Sequence, residues 1–225
     1  LVATTPAAAV DVDGVITVDN AYGFGFGSSA GMTTSSYFGG IRNTTAGEIT
    51  NGLPTLYVAG TANAGNGYTN AGVGPELYDL NGLPGSDYMY IVAWSDDTTL
   101  QGVLAEFAVG ATSVGTTPAS GWEVYATGLD RDSNIPADTL TNAAADIALI
   151  NDQIALANAN AGGAGTSVGW VDENGLLPTT APGVGALVFG DFNDGNPAGT
   201  HPFAGVINGI DTTAQWMWYN EDPAT

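Results

Sequence analysis

The chain has 225 residues, 44% of them hydrophobic, with 33 Gly, 11 Pro and no Cys. That much Gly and Pro excludes a helical bundle or coiled coil, and the missing Cys excludes disulfides, thiolate metal sites and a Cys nucleophile. Two basic residues, Arg42 and Arg131, stand against 23 acidic ones for a net charge of −21. Such a chain repels a phosphate backbone, so nucleic acid is not expected as a partner.

The N-terminal Leu1–Ala9 carries no charge and reads as the mature end left by a signal peptide, or as an arbitrary boundary. No run of 18 apolar residues occurs, so no membrane span is expected. Val15–Val18 reads as a strand leading into Ala21–Gly27, where Tyr or Phe alternates with Gly. Period two makes this a strand, and the glycines predict a second backbone packed closely upon it. Asn43-Thr44-Thr45 is a glycosylation sequon. Thr55–Ala59 is a short strand. Tyr88–Trp94 is a continuous apolar run, expected to be buried on both faces. Gly102–Val109 and Trp122–Ala126 follow as strands, and Val184–Phe189 and Ala214–Tyr219 come late in the chain.

Asn-Gly pairs at 51–52, 66–67, 81–82, 174–175 and 208–209 predict turns with positive φ. Asn-Gly-Leu-Pro occurs before the Tyr57 strand and again before the Tyr90 strand, as a reused turn-to-strand device. The stretches 61–74 and 159–166 read as surface loops. Between Asp138 and Asn160 the period changes. Leu140, Ala144, Ile147, Ile150, Ile154 and Ala157 share one helical face, with Asn151, Asp152, Asn158 and Asn160 off it and Gly162-Gly163 as the stop. The expected fold is therefore mainly β, an antiparallel sandwich with one long amphipathic helix near 139–160. It is read as one domain over 1–225, with possible lobes at 1–128 and 129–225.

With so few cationic side chains, the carboxylates need water, backbone N–H groups or metal ions as partners. Calcium is the expected cofactor, because oxygen side chains at alternate positions of a turn can converge on one hard cation. Three loops offer such spacing: Asp130, Asp132, Asn134 and Asp138; Asp191, Asn193 and Asp194; and Asp11 with Asp13. The first is not an EF-hand, since its sixth and twelfth positions hold Ile135 and Thr141. Asp96-Asp97 reads as a solvated corner. Each loop also reads as a plain Asx turn.

Catalytic sets are thin. His201 is the single His and no Gly-x-Ser-x-Gly elbow exists, so no Ser–His–Asp site is expected. Glu106 and Glu123 could form a glycosidase pair, but both alternate with apolar residues and read as outward-facing. No enzyme is expected. Five tryptophans could stack on sugar rings: Trp94, Trp122, Trp170, Trp216 and Trp218. Trp216 and Trp218 are two apart, which puts them on one strand face, and Trp94, Trp216 and Trp218 are the preferred carbohydrate-binding candidates.

Three stretches carry a resemblance: Val18–Gly27; Tyr90–Asp97 continuing through Gln101–Phe107; and Gly121–Val124. Over residues 10–128 the chain resembles the galactose-binding-domain-like jelly rolls of lectins and carbohydrate-binding modules. The second stretch is similar to that family's central hairpin. The resemblance implies a jelly-roll fold and a lectin-like alternative function. It implies no sugar site, because Gly27-Ser28-Ser29 stands where the family has Asn-Gly after the first strand.

Two functions follow as expectations. One is an extracellular structural protein that assembles with copies of itself into a surface layer, fibre or matrix, with calcium as a bridge. Like charge keeps copies apart unless cations or a salty medium screen it. The other is an adhesive module that binds glycans.

Overall fold

The computed structural model describes residues 9–19, 21–33, 36, 38–41, 61–62, 75–83, 88–94, 101–129, 143–161, 167–174, 185–195 and 205–220. In chain order the elements are β1 (Val10–Asp19), β2 (Ala21–Ser28), β3 (Gly31–Met32), β4 (Phe38–Ile41), β5 (Thr61–Ala62), β6 (Glu76–Leu83), β7 (Tyr88–Trp94), β8 (Gly102–Val109), β9 (Thr112–Gly115), α1 (Ala143–Asn158), β10 (Ala186–Phe192) and β11 (Gln215–Asn220). The expected strand at 55–59 lies outside the described residues.

β1 is the organising strand. Val12, Ile16 and Val18 are buried in the main core, and the alternate Asp11 and Asp13 are exposed. Farther along, Val15 and Thr17 on the Asp face are buried as well. A strand buried on both faces sits inside a layered structure. The larger sheet runs β10-β11-β8-β1-β6-β5, with β9 beside β8. In the smaller sheet β2 pairs with β3 and β4 on one side and β7 on the other. All these pairings are antiparallel. The C-terminal β10 and β11 extend the same sheet as β1, so residues from both ends of the chain share it.

The two sheets face each other across an aromatic centre. Phe24 and Phe107 are fully buried, and the Phe24 ring meets Tyr78 edge-on at 4.7 Å and Phe107 at 5.5 Å. Each such side chain contributes about 1.5–3 kcal/mol by leaving water, so this cluster holds the sandwich together. The Gly alternation in β2 has the expected cause. Tyr22, Phe24 and Phe26 point into the core, and the glycine face is covered by Gly31, Met32 and Ser36. A Cβ on Gly25 would lie 2.5 Å from the Ser36 carbonyl oxygen, and one on Gly27 would strike the Gly31 carbonyl. Ser36 Oγ secures this cover, donating to the Phe26 carbonyl at 2.6 Å.

Four local expectations are corrected. β7 and β8 do not form a hairpin: β7 joins β2 in one sheet and β8 joins β1 in the other, so the chain crosses between sheets. Residues 122–126 do not form a strand; a single bridge joins Val124 to Val171. Asn81-Gly82 is not a turn but a bulge inside β6. Val10 pairs with Leu83 and Val12 with Leu80, so β6 carries one extra residue there, and Gly82 supplies φ +70°. The helix stops before Gly162. Asn160 takes φ +51°, its N–H bonds the Ala157 carbonyl, and the Ala161 N–H bonds the Leu156 carbonyl, which is a Schellman closure.

Both outer faces of the sandwich are covered. On the smaller sheet, Ile147 and Ile150 of α1 pack against Met32, Tyr90 and Val92. On the larger sheet, Ile207, Ile210 and Ala214 pack with Trp216 against Val15 and Leu104. The 205–214 segment turns at Asn208-Gly209 as expected, with an Ile210 N–H to Ile207 carbonyl bond and Gly209 at φ +91°.

Candidate functional site

The acidic loops take up different partners. The set Asp130, Asp132, Asn134 and Asp138 lies outside the described residues, as do Asn43, His201 and Asp96-Asp97. Asn193 differs from its expected role as a metal ligand. It is 2% exposed, its amide N–H groups donate to the Ile207 and Ile210 carbonyls at 3.0 and 2.8 Å, and its Oδ1 accepts the Ile207 N–H at 2.7 Å. The amide is turned inward to hold the 205–214 cover, because the backbone groups of buried Ile207 and Ile210 must be satisfied. Asp194 is exposed, and half-buried Asp191 accepts the Phe192 N–H. Asp11 accepts the Gly82 N–H at the β6 bulge, and Asp13 pairs directly across from Asp79. Among the described residues, no group of three or more His, Asp or Glu is placed to hold a metal ion.

The two carboxylates of the enzyme-like pair have different surroundings. Glu106 lies on the outer face of the larger sheet, where its carboxylate accepts the Asp211 N–H at 2.5 Å and the Ser113 hydroxyl. Asp211 in turn accepts the Thr213 backbone N–H and hydroxyl, which holds its carboxyl below its ordinary value. Glu123 lines a groove elsewhere.

One buried polar group was not foreseen. Glu76 is 1% exposed, between the sheets. The Tyr22 hydroxyl donates to its carboxylate, and the Tyr78 hydroxyl lies 2.8 Å from that of Tyr22. Burial first, then the neighbouring Tyr78 and Glu76, pushes the Tyr22 phenol well above its ordinary 10.0. A buried carboxylate needs such donors. The sequence displays only Glu76-Leu77-Tyr78, an alternation that places Glu76 and Tyr78 on one face.

The candidate site is a groove of about 610 Å³. Its walls are β7, residues 121–129, α1 and the β10–β11 edge. Met89, Ile91, Val103, Leu187 and Met217 open into it from the sandwich seam, and Tyr90, Val92, Ile150 and Ile154 from beneath the helix. Glu123 is the one charged side chain among its described lining residues. A volume of this size suits a small ligand or a short peptide.

Four rings make a row there. Tyr88 stacks on Tyr90 at 6.3 Å and 20°, Tyr90 meets Trp170 at 6.3 Å, and Trp170 meets Tyr125 at 6.1 Å. Three are pinned by their polar ends: Tyr90 to the Ser28 carbonyl, Trp170 to Asn158 Oδ1 at 2.9 Å, and Tyr125 to the Ala161 carbonyl at 2.9 Å. Burial raises the Tyr90 and Tyr125 phenols above their ordinary 10.0, and Tyr88 adds to the effect at Tyr90.

The preferred tryptophans are divided. Trp216 is 6% exposed in the outer cluster, with Gly102 pressed against its ring. Trp218 packs against the main core and lines the groove, so the two do not form an exposed pair. Trp94 ends β7, and its side chain lies outside what is described. Trp170 and Trp122 do line the groove. Tyr88, Tyr90 and Tyr125 were missed, since nothing in a single strand marks which rings a distant helix and loop will gather. No family model, curated protein or solved structure matches this chain.

Proposed function

We propose that this chain is a non-enzymatic extracellular structural protein that assembles with copies of itself, with calcium as the counter-ion between acidic surfaces. The observation that carries this reading is the groove: an apolar opening with one carboxylate among its described lining residues, on a chain of net charge −21. An open groove lined mainly by apolar side chains is the usual form of a binding site. Light scattering and electron microscopy on the purified chain, with calcium and then with chelator, test it. Oligomers or filaments are expected with calcium, and a persistent monomer in both conditions overturns the reading.

The pinned row Tyr88, Tyr90, Trp170 and Tyr125 favours a second reading, a glycan-binding module of jelly-roll type in which sugar rings stack on the exposed faces. A glycan array tests it, and no sugar bound at millimolar concentration removes it.

A further inference from the structure

An Asn followed by Gly can react with itself. The Gly nitrogen reaches the Asn side-chain carbonyl carbon through a five-membered ring, and Gly has no side chain to obstruct the approach. Of the five Asn-Gly pairs in this chain, two are described at both residues, Asn81-Gly82 and Asn208-Gly209. All four of these residues are exposed, so exposure does not separate the pairs. Hydrogen bonding does. In β6 both nitrogens of the reaction are held by carboxylates: the Gly82 N–H donates to Asp11 Oδ1 at 2.9 Å, and Asn81 Nδ2 donates to Asp79 Oδ1 at 2.6 Å. Asn208-Gly209 instead forms the tip of a turn closed by a 3.3 Å bond from the Ile210 N–H to the Ile207 carbonyl. Among the described residues the Gly209 N–H donates to no group.

We infer that Asn208 is a self-modification site, where the chain converts its own amide to a carboxylate and loosens the cover of the larger sheet. The Gly209 nitrogen bonds to Asn208 Cγ and gives up its proton. The Cγ–Nδ2 bond breaks, and that nitrogen leaves with the proton as ammonia. Water then adds to the five-membered imide and breaks one of its two C–N bonds. Opening at Cγ leaves aspartate. Opening at the main-chain carbonyl leaves isoaspartate, whose backbone runs through the former side chain. Either product adds a negative charge to a chain already at −21. Isoaspartate also lengthens the turn by one carbon. Ile207 and Ile210, on its two sides, are 4% and 5% exposed, and Asn193 bonds the backbone of both. Gly209 leaves so little room that a Cβ on it would lie 2.7 Å from Val15 Cγ2. A longer turn cannot keep both isoleucines in their places.

The test ages the folded chain in mildly alkaline buffer and follows each Asn-Gly peptide by mass spectrometry. Methyl transfer by an isoaspartyl methyltransferase reports isoaspartate, and the same time course in urea gives the rates without the fold. Relative to its rate in urea, Asn81 is expected to react about tenfold more slowly than Asn208, since its Gly nitrogen must first leave a charge-assisted hydrogen bond. Aged protein should unfold at lower urea concentration, and Asn208→Gln, whose longer side chain cannot close the five-membered ring, should keep its midpoint. If folding protects Asn208 as well as it protects Asn81, the inference is overturned. Isoaspartate at 208 with an unchanged urea midpoint overturns the link to the cover. If Asn208→Gln fails to fold, the wild-type time course decides.

Discussion

The two outer covers of the sandwich solve one problem with different materials. On the smaller sheet a helix lays Ile147 and Ile150 over Met32 and Val92. On the larger sheet an irregular segment lays Ile207 and Ile210 over Val15 and Leu104. Each is fastened through an asparagine amide. Asn151 of α1 meets Met32 as a neighbouring strand would, accepting its N–H at 2.8 Å and donating to its carbonyl at 3.0 Å. Asn193 does the same for three backbone groups of the 205–214 segment. The difference lies in what each clamp must replace. A helix satisfies its own backbone, so its asparagine only attaches it. A segment without regular structure has no internal ladder, so its asparagine supplies the missing hydrogen bonds in a place without water.

That contrast predicts the order of damage. Asn193→Ala should be the most severe change, since it removes the side-chain partner of three buried backbone groups, of which the Ile207 carbonyl keeps the Ile210 N–H. At about 1–3 kcal/mol for a stranded group, the loss is expected to be roughly 3 kcal/mol or more. Urea unfolding measures it, and a loss under about 1 kcal/mol would mean the cover holds without its clamp.

Gly209→Ala comes next. It would force a side chain into φ +91°, with its Cβ 2.7 Å from Val15 Cγ2. A cost of about 2–3 kcal/mol is expected in the same unfolding measurement.

Tyr22→Phe probes the layer that both covers share. It removes a donor to buried Glu76, so a loss of about 1–3 kcal/mol is expected. The same pair gives a pH dependence. Because the folded Tyr22 phenol lies well above the ordinary 10.0, the unfolded chain releases that proton first. Tyr22 therefore contributes its full stability below pH 10.0, and the contribution falls as the pH rises beyond it. Thermal melting across that range should show the decline, and Tyr22→Phe should flatten it.

Asn151→Ala should be the mildest. Asn151 is only half-buried, so water can take over part of its bonding to Met32. About 1 kcal/mol is expected. A cost equal to that of Asn193→Ala would break the comparison between the two covers.

Much of this architecture is local and therefore legible. The period-two run of β2 placed Tyr22, Phe24 and Phe26 on one face, and its glycines announced a close backbone. The 3.6-residue period placed Ile147, Ile154 and Ala157 on the buried face of α1. Asn151 and Asn158 were placed only off the apolar face, because hydropathy cannot tell an amide turned to water from one bonded to a strand or a turn. Asn158 donates to the Ser29 carbonyl at 2.7 Å.

Composition, charge and side-chain period decided on their own that this is an acidic, mainly β chain with one helix, because strands, turns and helices answer to residues a few positions apart. The tertiary structure alone decided that Asn193 serves as a clamp, that Trp216 is core, and that Tyr88, Tyr90, Tyr125 and Trp170 stand in one row. Each of those outcomes depends on segments distant along the chain meeting in space, Asn193 and Ile207 being 14 positions apart and Trp216 meeting Val15 from the other end, and the free energy of such meetings is written in no single stretch of the chain.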